Sequence, residues 1–154
     1  MKRIAAALLL AFTTAAAHAA DADKTAGLAL DKLGYEYEVD EDGDYKMVFD
    51  MDNDRSQLVF VRSATEEFGK HHIREIWSPA YTSPGKQFPA AVANRLLEDS
   101  QDAKMGAWVK QDQTAMFVVK VDAKASPEAL SDAIDAAIRT ADEMENELTK
   151  QDEF

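Results

Sequence analysis

The chain has no cysteine among its 154 residues. That absence excludes disulfides, thiolate metal sites, a cysteine nucleophile and a bacterial lipid-anchor cysteine. Basic residues are also in short supply, with 17 Lys and Arg against 29 Asp and Glu, a formal charge of −12. Phosphate neutralisation needs clustered cations, so this balance argues against a nucleic-acid partner. The six glycines are scattered, and neither a phosphate loop nor a dinucleotide fingerprint occurs. Beyond the N-terminus no run approaches the roughly 20 apolar residues of a spanning helix, so no internal membrane span is expected.

What is present begins with an export pattern. Lys2 and Arg3 precede an apolar run over residues 4–17, rich in Ala and Leu. Ala17-His18-Ala19 then puts small residues at the −3 and −1 positions of a cleavage site after Ala19. The expectation is a Sec-type signal peptide over residues 1–19 and a periplasmic or secreted product that leaves the membrane after cleavage. Residues 20–154 are expected to form one domain, a length typical of a single core. Without cysteine, its stability must come from packing alone.

The periodicity of the remaining sequence is α+β. Residues 21–33 read as a helix, with Asp23 as N-cap, Ala26, Leu30 and Leu33 on one face and Gly34 as C-cap. Tyr35, Tyr37 and Val39 alternate with acids as a half-buried strand. Asp42-Gly43 turns it into a second strand, with Tyr45, Met47, Phe49 and Met51 on one face. Asp52-Asn53-Asp54 leads to a third over residues 57–62. Residues 66–70 read as a loop or short turn and 72–77 as a further short strand, which Ser78-Pro79 and Ser83-Pro84 end. Helical spacing returns over residues 86–99 through Phe88, Val92 and Leu96, and a hairpin of strands follows over residues 104–110 and 114–122.

The last helix is the clearest element: Ser126 caps it, Pro127 suits its first turn, and Leu130, Ile134, Ala137, Ile138, Ala141, Met144 and Leu148 form one stripe. Its acids Asp142, Glu143, Glu145 and Glu147 read as a solvated, fraying face, since the macrodipole disfavours them there. The expected architecture is therefore an antiparallel sheet of about five strands with three helices, in the order α-β-β-β-(β)-α-β-β-α.

Candidate chemistry is sparse. Asp40, Asp42 and Asp44, and again Asp50, Asp52 and Asp54, alternate as at the start of a calcium loop. Counted from Asp40, however, positions six and twelve are Tyr45 and Met51 rather than Gly and Glu. His71-His72 are adjacent on a strand and point to opposite sides, so they read as a surface pair. No serine sits in a nucleophile elbow. No catalytic residue, cofactor or metal is expected. Trp77 and Tyr81 flank Pro79 in a predicted loop and are the candidate partner-binding residues, because aromatics outside a periodic buried face are typical contact anchors; the alternative is that they plug the end of the sheet as part of the core.

Four stretches carry a resemblance to a known family: residues 33–44 (Leu-Gly-Tyr-Glu-Tyr-Glu-Val-Asp-Glu-Asp-Gly-Asp) with the strand ending at Met51, Ile76-Trp77-Ser78-Pro79-Ala80-Tyr81, Val92-Ala93-Asn94-Arg95-Leu96-Leu97, and residues 141–148. In their order the chain resembles the YbjN-like family of bacterial proteins, described as sensory-transduction regulators. The resemblance implies a fold similar to type III secretion chaperones and a protein-binding role, chaperone-like or regulatory, and supplies no catalytic residues. The export signal departs from many members and argues against cytoplasmic roles. The expectation is an exported, non-catalytic domain binding an unknown protein or peptide, with homodimerisation left open. The alternative is an enzyme or small-ligand binder with a cleft between the sheet and the second helix.

Overall fold

The structure, a computed structural model, describes residues 21–154; the expected signal peptide over residues 1–19 lies outside the described residues. The fold is α+β, with helices α1 (Lys24–Leu33), α2 (Ala90–Asp102) and α3 (Pro127–Thr149). The strands are β1 (Glu38–Val39), β2 (Tyr45–Asp50), β3 (Ser56–Phe68), β4 (His71–Thr82), β5 (Ala107–Gln111) and β6 (Thr114–Asp122). They form one antiparallel sheet in the order β1-β2-β3-β4-β6-β5. The sheet thus has six strands, the additional one being the long β4 at its centre. No helix among the described residues is long and apolar enough to cross a membrane.

Local chemistry sets the helix ends. The Asp23 carboxylate accepts from the Thr25 N–H at 2.7 Å, and Gly34 takes φ +72° to close α1. Ser126 Oγ accepts from the Ala129 N–H at 3.2 Å to open α3. All three helices lie on one side of the sheet, where Leu30, Leu96, Ile134, Ile138 and Met144 meet Met47, Val59, Val61, Ile76, Phe117 and Val119 in a single core. A helix stripe and a sheet face each need such a partner to leave water.

Three strand expectations are corrected. The first strand is not Tyr35 to Val39 but Glu38–Val39 alone. Tyr35 Oη hydrogen-bonds Ser131 Oγ at 2.7 Å and Tyr37 Oη donates to Asp31 at 2.9 Å, while their rings meet Phe49 and Tyr45 edge-on. These side-chain anchors hold residues 35–37 against the core rather than in the ladder. Residues 66–68 are not loop but the end of β3, and Gly69 at φ +62° turns the hairpin. Nor does Ser78-Pro79 end β4. Proline is tolerated in this central strand because its missing donor is on the β3 side, where the β3–β4 pairing has already ended at Phe60 and Trp77; a bulge follows, where the β4–β6 register shifts between Pro79 and Tyr81. Buried Gln57 donates to Pro79 O at 2.7 Å and to Ser78 Oγ at 3.0 Å, tying the bulge to β3.

The acids of α3 are a solvated face only in part, since Glu143 and Glu147 are exposed. Glu145 is fully buried and meets Arg55 at 2.9 Å, Asp142 meets Arg55 at 2.6 Å, and Glu147 pairs with Arg95 of α2 at 2.7 and 2.8 Å. Beyond Lys150 at φ +60° the chain folds back. The Glu153 N–H donates to Glu145 at 2.6 Å, and Asp152 accepts from the Ser56 N–H at 3.1 Å.

Candidate functional site

With the helices on one side, the strand residues of opposite parity make a helix-free second face. The registers place Phe60 opposite Trp77, Trp77 opposite Val118, Pro79 opposite Met116 and Val109 beside Met116. Val48 pairs with Leu58 on the same side and is 60% exposed. Leu58, Phe60 and Trp77 are half-buried, whereas Pro79, Met116 and Val118 are buried. The result is an apolar and aromatic band across the middle of the sheet.

Trp77 is fixed from two directions. Its indole Nε1–H donates to Glu75 at 2.9 Å, and Glu75 is in turn held by Lys120 at 2.9 Å. The Arg62 guanidinium lies 5.1 Å from the ring centroid, a cation–π distance. Arg62 follows Phe60 onto this face by strand alternation, lies at a second bulge, the register shift between Val61 and Thr65, and is held by an ion pair with the buried Asp44. Asp44 also accepts from the Ser63 N–H at 2.7 Å. Burial pushes its carboxyl above the ordinary range despite that bond and the nearby Arg62 charge.

Behind the same bulge, Arg74 supplies donors to the carbonyls of Arg62 and Ser63 that the shifted ladder leaves free, and its other arm binds Asp23. Burial pushes the Asp23 carboxyl up, but Arg74 and the Thr25 N–H outweigh it and hold it below the ordinary range. A recess of about 290 Å³ opens on the helix-free face, lined by Asp40, Asp42, Phe60, Arg62, Trp77 and Met116 among others.

The two candidate aromatics are not brought together. Trp77 lies on the helix-free face, within a strand rather than a loop. The bulge after Pro79 turns Tyr81 to the other side, where it packs on the core and meets Phe88 edge-on at 5.8 Å. Without that extra residue, alternation would have kept both on one face. Sequence reasoning missed Phe60, Met116 and Arg62. A signal for the first two was available: residues 58–61 and 115–119 are apolar on both parities, the pattern of a strand with something to cover on each side.

The remaining candidates are placed differently. Asp40 Oδ1 accepts from the N–H groups of Asp42 and Asp44 at 3.0 and 2.9 Å, so this carboxylate organises the turn itself. No group of three or more His, Asp or Glu among the described residues is arranged to hold a metal ion. His71 and His72 are exposed, with His72 3.2 Å from Glu67. Between the sheet and α2 lies an apolar recess of about 240 Å³ at Phe88, Leu96, Leu97, Trp108 and Val109, with Lys110 its single charged wall among the described residues. The sequence matches no family model and no curated protein.

Proposed function

We propose that this chain is an exported, non-catalytic module that binds a protein or peptide on the helix-free face of its sheet. The observation carrying this reading is the half-buried aromatic pair Phe60 and Trp77 beside exposed Val48, on a face where no helix among the described residues packs. Aromatic side chains held rigid in such a setting are the usual anchors of an interface. The order of the segments at 33–44, 76–81, 92–97 and 141–148 supports a place among YbjN-like proteins. The Lys2-Arg3 start and the Ala17-His18-Ala19 site support export.

Two measurements test this. Immobilised wild type and the Trp77→Ser and Tyr81→Ser variants are incubated with periplasmic extract and the retained proteins identified by mass spectrometry. Partners should be lost with Trp77→Ser and kept with Tyr81→Ser; equal retention by all three rules out the face. For export, a C-terminally tagged full-length chain should be recovered from the periplasm about 2 kDa lighter, at roughly 110 Da per residue of a cleaved signal. Recovery of only the full-size chain in the membrane fraction would refute cleavage.

A further inference from the structure

The cations that the strands carry on the helix-free face are already neutralised within the chain. Lys46 faces Glu38 at 4.0 Å, Lys120 meets Glu75 at 2.9 Å, and Arg62 is held by Asp44. By contrast, Asp50 and Asp122 on the strands and Asp40 and Asp42 on the adjoining turn have no cation within 4 Å among the described residues. Asp40 and Asp42 share the recess with Phe60 and Trp77, so free negative charge stands directly beside the aromatic band. The Arg62 guanidinium over Trp77 is an internal instance of the contact such a surface accepts. An acidic or neutral apolar partner would meet uncompensated like charge or leave it desolvated, which costs binding.

From this charge complementarity we infer that the face docks a basic, apolar polypeptide segment. Its Lys or Arg side chains meet Asp40 and Asp42, and its apolar side chains lie on Phe60, Trp77 and Val48. This rests on the docking reading above and adds to it the sign of the partner's charge. An extended segment sends alternate residues to one side, so a Lys-Lys-Leu-Leu repeat presents both kinds of side chain to the same face.

The test uses labelled peptides of three such repeats, with a counterpart carrying Glu for Lys, read by fluorescence anisotropy. The Lys peptide should bind at least about tenfold more tightly than the Glu peptide and weaken between about 0.05 M and 0.3 M salt. Trp77→Ser, which leaves the charge unchanged, should weaken it comparably. Asp40→Asn with Asp42→Asn should also weaken it, while Asp132→Asn with Glu143→Gln, an equal charge change on exposed α3, should not. Asn keeps the Oδ1 acceptor of the turn, and an unchanged urea midpoint verifies the fold; should that variant unfold, the peptide pair, the salt response and Trp77→Ser still decide.

Equal binding of both peptides, abolished by Trp77→Ser, would keep the docking face and overturn the charge assignment. Binding of the Lys peptide that ignores Trp77→Ser and responds equally to both charge pairs is diffuse attraction, and overturns both. Displacement by spermine at equal charge would assign the recess to a small polycation and overturn the polypeptide. No binding of either peptide overturns the inference.

Discussion

At Glu145, α3 sets a carboxylate where the negative end of the helix dipole and the surrounding core both oppose it. Burial accordingly pushes its carboxyl above the ordinary range, against the Glu153 N–H and the Arg55 charge that favour ionisation. For an acid with a raised folded pKa, the stability it confers is full below the ordinary value of 4.5 and is lost as pH rises through the folded value. Arg55 limits that loss. Arg55→Met should therefore destabilise the protein by about 3–5 kcal/mol at neutral pH, because it strands a buried charge. The deficit, measured by urea unfolding across pH, should narrow as pH falls toward 4.5 and Glu145 takes up a proton. Gly106 is a second sensitive residue. Its φ of +84° is unfavourable for a side chain, and a Cβ there would stand 2.4 Å from the Val118 carbonyl oxygen. Gly106→Ala should cost at least about 1–3 kcal/mol, the range for a strained backbone position, read as a lower thermal midpoint. Neither role was legible in the sequence. Arg55 stands 90 positions before Glu145, and Gly106 looks like any other loop glycine until β6 passes beneath it.

Elements with local causes were legible. Asp23, Gly34, Ser126 and Pro127 mark helix ends by hydrogen bonds and φ values that need only a few neighbouring residues. The stripe of α3 is equally local, and Ile134 is buried on the sheet. Ile134→Ala should lower stability by about 2–5 kcal/mol in urea unfolding, whereas exposed Asp135→Ala should leave the midpoint almost unchanged. Equal, negligible effects would mean that α3 is not packed on the core. Strand ends were less legible because distant partners set them. Proline at 79 reads as a breaker, yet β4 continues through it and the bulge that follows, because pairing with β3 ends at Trp77, so its N–H has no ladder bond to make, and Gln57 takes its carbonyl. The same bulge separates Trp77 from Tyr81, so the candidate site was legible in one residue and misplaced in the other.

Across the whole molecule, α2 and α3 are joined by the two bonds between Arg95 and Glu147, with Asp99 also on Arg95 at 3.2 Å. The Arg95 hydrogen bonds hold the Glu147 carboxyl below its ordinary value of 4.5. A lowered acid contributes stability that is present above that value and lost as pH falls through the folded one. The pair is largely exposed, so Arg95→Ala should cost only about 0.2–1 kcal/mol at pH 7. That difference should close as the medium is acidified below 4.5, by chemical denaturation at each pH. The covering role of α3 has a further consequence, in the order of synthesis. It packs on β3, β4 and β6 yet is made after all six strands and the other two helices among the described residues. Until residue 149 has emerged, the core side of β3, β4 and β6 lacks the helix that covers it. Anything that must act on this domain while its core is still open therefore has until residue 149 is made in which to do so.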